Sequence, residues 1–194
     1  MQYFFDFDRT VFDTEAFKKA FKKRPPFRDL LRQFRHVIVE AFDPSSTLSK
    51  RRIAARTLGT YVSHRRFGFM PQELKEYLYP DAVAFFTEHG KDCTIVTYGV
   101  RAFITAKVAN ALTDFPLKDI VYTHQKKGRT IRRLTAGIED PCIFVDDAVF
   151  QLVSVRRACP TVSVIEIRRD GRPGDGRFPV IASFDELHSI IASK

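Results

Sequence analysis

The sequence predicts an α/β protein in which a five-stranded parallel sheet carries an all-α insert. Three observations predict it. Five short runs of aliphatic, aromatic and β-branched residues alternate with helical patterns. Two of those runs end in clustered aspartates. The first run ends near Asp8 whereas the second begins near Cys93, far more chain than a single crossover helix needs.

Taken in order, the first run is Tyr3 to Phe7. The interval that follows is helical in pattern, with apolar positions at Ala16, Phe17, Ala20 and Phe21, then Leu30, Leu31, Phe34, Val37, Ile38 and Ala41, then Ile53 to Val62. Pro25-Pro26, Asp43 to Ser46 and Gly68 to Pro71 punctuate it. The second run, Cys93 to Thr97, leads into a helix over Arg101 to Leu112. Ile120 to Thr123 and Cys142 to Val145 follow, then a helix over Val149 to Ala158 and a last strand over Val162 to Ile167. Gly171 to Gly176 reads as a surface loop. Ser183 N-caps a final helix, with Glu186 as its capping-box partner and Phe184, Leu187, Ile190 and Ile191 facing inward. This divides the chain into a sheet domain, 1–13 plus 81–194, and a helical insert, 14–80.

The chain has 194 residues, enough for one α/β core carrying a smaller module, and its 44% hydrophobic and 28% charged residues are an ordinary globular balance. Nineteen Phe and no Trp make Phe the main core filler. Three cysteines, Cys93, Cys142 and Cys159, are too few and too apolar in setting for a disulfide framework, so a reducing cytoplasm is expected. No apolar stretch approaches the length of a membrane span and no basic, export-type leader is evident. From Thr14 to Pro80 there are fifteen Lys and Arg against six Asp and Glu, a balance of +9 that equals the net charge of the whole chain. The insert therefore carries all the excess positive charge, either as solvated helix faces or as an attraction for an anionic substrate.

The chemistry concentrates at strand ends. Asp6 and Asp8 close the first apolar run, at the carboxyl edge where open parallel sheets bind ligands. Two carboxylates at that spacing repel unless they share a cation or a proton. Asp146 and Asp147 close the run Cys142 to Val145 in the same way, so four carboxylates can meet at one edge, and a hard divalent cation is implied. Thr97, Tyr98 and Gly99 end the second run just before a helix, placing a hydroxyl and backbone N–H groups where a phosphate would be held. Gln125-Lys126-Lys127-Gly128 follows the third run and can bring a cation to the same edge; adjacency leaves open which lysine points inward.

These four motifs, in this order, resemble those of the haloacid dehalogenase superfamily: apolar strand-Asp-x-Asp-x-Thr, apolar strand-Thr/Ser, Lys, and apolar strand-Asp-Asp. The resemblance spans Tyr3 to Phe150 and implies a Rossmann-like core, a helical cap between the first two motifs, and bound Mg²⁺. It further implies that Asp6 is the nucleophile, forming an aspartyl-phosphate, and that Asp8 is the general acid and base and also touches the metal. Thr97, with Tyr98, would hold a phosphoryl oxygen, Lys127 would balance the carboxylates, and Asp147 would bind the metal directly with Asp146 second, or the reverse. The chain departs from the family at Arg9, which stands where Gly is usual; the loop then differs, or Arg9 reaches toward the substrate or the insert. The implied activity is hydrolysis of a small, anionic phosphate ester. A phosphomutase, a nucleic-acid-end phosphatase or nucleic-acid-binding protein, and a silent binding domain on this fold are the alternatives, the nucleic-acid reading being disfavoured because no known module for it is evident.

Overall fold

The structure, a computed structural model, describes residues 1–23, 71–98 and 101–187. The apolar patterns from Leu30 to Val62, Gly99, and Ile190 and Ile191 lie outside those residues. The chain divides into two compact units: Met1–Asp13, Leu78–Tyr98 and Asp114–Lys194 form one, and Thr14–Tyr77 with Gly99–Thr113 the other.

The first unit is built on a parallel sheet of six strands, β1 (Gln2–Phe5), β2 (Cys93–Tyr98), β3 (Asp119–Thr123), β4 (Cys142–Asp146), β5 (Ser163–Ile167) and β6 (Val180–Ile181), in the order β3-β2-β1-β4-β5-β6. Five of these are the strands expected from the apolar runs. The sixth is a two-residue edge strand, too short to leave a periodic signal. The strand order reverses at β1, which sits between β2 and β4, and this is the switch point at which a crevice opens beyond the carboxyl ends. Tyr3 pairs with Cys93 on one side and Ile143 on the other.

Burial on both faces explains the near-continuous apolar runs. On one face Phe4, Val96, Phe144 and Val164 pack with Ile131, Leu152 and Val155, which come from α5 (Lys127–Leu134) and α6 (Val149–Ala158). On the other, the Phe5 ring lies 5.5 Å from Phe85, 5.6 Å from Phe86 and 4.6 Å from Phe184. Phe85 and Phe86 lie on α3 (Pro80–His89), and Phe184 opens a short 3₁₀ turn, Phe184–Glu186. Fully buried aromatic clusters contribute both area and favourable edge geometry, which is how a chain without Trp fills its core. Ser183 N–H donates to Glu186 Oε1 at 3.1 Å, one half of the expected capping box.

In the second unit the described elements are α1 (Thr14–Lys23), α2 (Pro71–Lys75) and α4 (Arg101–Leu112). There Phe17 meets Tyr77 edge to face at 5.5 Å, and the Lys107 ammonium lies 5.7 Å from the Phe17 ring centroid. No helix among the described residues is long and apolar enough to cross a membrane.

Candidate active site at the carboxyl edge of the sheet

Asp6 follows β1 directly, and the Asp6 N–H donates to the Val145 carbonyl at 2.9 Å, continuing the ladder with β4 for one more step. That pairing sets Asp6 beside the end of β4, where Asp146 is the last strand residue. Carboxylate oxygens of Asp6, Asp146 and Asp147 lie within 4.8 Å of one another. Asp6 and Asp146 are buried.

A single ammonium bridges the cluster. Lys127 Nζ donates to Asp6 Oδ1 at 2.5 Å and to Asp146 Oδ2 at 2.7 Å, and the side chain is 1% exposed. Lys126 is exposed, so of the two adjacent lysines it is Lys127 that enters the site. The reason lies in the start of α5. The Lys127 N–H donates to Gln151 Oε1 at 2.9 Å, and the Gly128 N–H to Ser154 Oγ at 3.2 Å, both on α6. A Cβ on Gly128 would stand 2.2 Å from the Ser154 carbonyl oxygen, so only glycine lets the two helices approach this closely. Gln151 and Gly128 therefore aim Lys127, a duty that sequence reasoning did not assign to either. The one signal was a glycine directly after a lysine, just beyond the third apolar run.

The electrostatics follow from counting charges. Burial raises the Asp6 carboxyl to about 7; Lys127 opposes the rise, while Asp146 and Asp8 add to it. Burial and the neighbouring Asp6 raise Asp147 to about 6, with Arg9 and Lys127 opposing. Asp146 is raised by burial against the pull of Lys127 and of the Ala148 N–H, which donates to its Oδ1 at 2.8 Å. Burial alone would lower Lys127, but Asp146 and Asp6 outweigh it and hold the ammonium charged. Burial is the main cause of the raised carboxyls, and the surplus negative charge of neighbouring carboxylates adds to it.

Asp8 is half-buried, and its charge is felt at both Asp6 and Asp147. Its backbone bridges to Phe12, closing a tight loop in which Val11 and Phe12 N–H both donate to the Phe7 carbonyl at 3.0 Å. Arg9 takes φ 61 there, the left-handed region that favours glycine. The loop thus keeps the backbone shape that glycine would give, and Arg9 bears the strain. Its Nη1 lies 3.9 Å from Asp147 Oδ2. Thr97, near the end of β2, is 1% exposed, and its hydroxyl makes no hydrogen bond among the described residues. Tyr98, next along, is 42% exposed.

A parallel sheet with acidic residues gathered at its switch point defines a class of α/β enzymes that act at the strand ends. The haloacid dehalogenase-like hydrolase family model matches residues 3–161, and the chain belongs to that family. None of the curated proteins matches it at a significant level. Among solved structures it is similar to a haloacid dehalogenase-like hydrolase from Burkholderia xenovorans (16% identity, 98% of this chain and 96% of that one, TM-score 0.67). It is also similar to YfnB of Bacillus subtilis, a HAD-type hydrolase whose magnesium-bound structure reveals interdomain movement (15%, 98% and 97%, 0.59). An L-2-haloacid dehalogenase resembles it as well (13%, 100% and 99%, 0.56). At these identities the likeness is one of fold.

Proposed function

We propose that the protein is a Mg²⁺-dependent phosphatase that cleaves a phosphomonoester through an aspartyl-phosphate on Asp6. The observation that carries this reading is the set of three carboxylate oxygens within 4.8 Å, two of whose carboxylates, Asp6 and Asp146, are bridged by the buried Lys127 ammonium. The donor set fits a small, hard cation: its oxygens are anionic, close together and under-neutralised, as the raised carboxyls of Asp6 and Asp147 reflect. Asp6, Asp147 and the Asp8 carbonyl would hold Mg²⁺, with Asp146, which both Lys127 and the Ala148 N–H engage, one shell further out. The ion supplies charge neutralisation for the phosphoryl oxygens.

The protein's own groups supply the rest. Lys127 occupies one oxygen of Asp6, and the other attacks phosphorus as the ester P–O bond breaks. Asp8 donates its proton to the departing alkoxide. It then takes a proton from the water that attacks the aspartyl-phosphate, and Asp6 leaves as a carboxylate. The buried Thr97 hydroxyl, with no protein partner among the described residues, suits a phosphoryl oxygen. Asp8 separates this reading from haloacid dehalogenation, which needs no acid for an alkoxide leaving group. Residues 14–80 would act as the helical cap, and their net charge of +9 favours small substrates with anionic groups beyond the transferred phosphate.

Phosphate release from a panel of phosphomonoesters, compared between wild type and Asp6→Asn, tests the proposal. Release that requires Mg²⁺ and falls to background in Asp6→Asn is expected. Chloride release from 2-haloacids without phosphate release would overturn it.

A further inference from the structure

Thr10 is fully buried, and its carbonyl lies in the loop that carries Asp8 and Arg9. One side chain meets it. Arg169, just beyond β5, donates to the Thr10 carbonyl from both Nε (3.0 Å) and Nη2 (2.7 Å). Its Nη1 donates to Asp81 Oδ2 at 2.5 Å and to the Ala182 carbonyl at 3.2 Å. The guanidinium plane lies 4.1 Å from the Tyr79 ring centroid and 5.0 Å from that of Phe184. The side chain is only 11% exposed, and Asp81 Oδ2 also accepts the Phe184 N–H at 2.6 Å. A rigid planar fork is the one side chain that can make this set of contacts, and burying it at such a density of partners is costly unless all of them are kept.

What the fork joins is the root of the long insertion. The chain leaves the sheet unit past Val11 and Phe12 and returns at Leu78 and Tyr79. Phe12 bridges Leu78, and Tyr79 N–H donates to the Val11 carbonyl at 3.0 Å. Arg169 grips the outgoing segment through Thr10 and the returning one through Tyr79 and Asp81. We propose that Arg169 is a positioning residue for phosphoryl transfer, holding the Asp8-to-Phe12 loop in register with the returning segment so that Asp8 faces the leaving group. The inference rests on the phosphatase reading of the site for its kinetic consequence, and on geometry alone for the clamp.

The test compares wild type with Arg169→Lys and Arg169→Ala. Amide hydrogen exchange at Arg9, Val11 and Phe12 should quicken by about tenfold or more in both variants, with β4 amides unchanged. For the best substrate of the panel, kcat should fall by about 10–100-fold while KM stays within about threefold, because misplacement of a reacting group by about 1 Å costs rate rather than binding. Millimolar guanidinium should restore part of kcat to Arg169→Ala but not to Val162→Ala, a core variant chosen to lower Tm to a similar degree. Unchanged loop exchange, or quickened exchange with wild-type kcat, would overturn the proposal. Should Arg169→Ala fail to fold, Arg169→Lys alone decides by the same two readouts. If the wild type releases no phosphate, the phosphatase reading falls, and loop exchange still decides the clamp.

Discussion

Arg9 is strained for a reason that can be measured. A residue with a Cβ at φ 61 costs roughly 1 kcal/mol relative to glycine, yet the loop around Asp8 requires that shape. Arg9→Ala removes the guanidinium and keeps the strain, whereas Arg9→Gly removes both. Arg9→Gly is therefore expected to be the more stable of the two by about 1 kcal/mol, or roughly 2–4 °C in Tm, in thermal unfolding. Asp6 and Asp147 make a second prediction at this scale. Both carboxyls are raised from the ordinary aspartate value, to about 7 and about 6, so their protonated forms favour folding in the metal-free protein. That contribution is complete below about pH 4 and is lost as pH rises through about 6 to 7. On the proposed reading Mg²⁺ would bind the ionised form, so its stabilising effect should have the opposite profile, large above about pH 7 and fading below about 6. At about a hundredfold excess over its Kd it should add about 2.7 kcal/mol, or roughly 5–10 °C. Melting in EDTA and in Mg²⁺ from about pH 5 to about pH 9 checks both signs.

At the scale of elements, the meeting of α5 and α6 decides where the buried Lys127 ammonium sits. Gly128→Ala places a methyl group 2.2 Å from a backbone oxygen that cannot move without its helix. Separating the helices is expected to cost about 1–3 kcal/mol and to draw Lys127 away from Asp6. Both a lower Tm and at least a tenfold loss of kcat should result, and circular dichroism melts beside turnover assays would show whether they go together. The same junction shows what sequence could and could not reveal. The helices Arg101–Leu112 and Val149–Ala158 stand where their apolar periodicity put them. α5 was not legible as a helix, because between Arg129, Arg132 and Arg133 only Ile131 and Leu134 mark its inner face. The apolar strands and their terminal aspartates were plain, since burial on both faces and a charge at the end leave an unmistakable pattern. The Arg169 clamp left none, because its partners are mostly backbone carbonyls and ring faces, which any sequence can supply.

On the scale of the whole molecule, the central position of β1 has a further consequence. Tyr3 can complete its pairing only with Cys93 and Ile143, both distant along the chain. Chain closure over such separations is slow, and of the six strands β1 has the longest stretch of chain between itself and its partners. Until β4 emerges from the ribosome, Tyr3, Phe4 and Phe5 present an unsheltered apolar edge to whatever is nearby. The arrangement that gathers the aspartates at one point also makes β1 the segment on which a nascent chain depends most for chaperone protection.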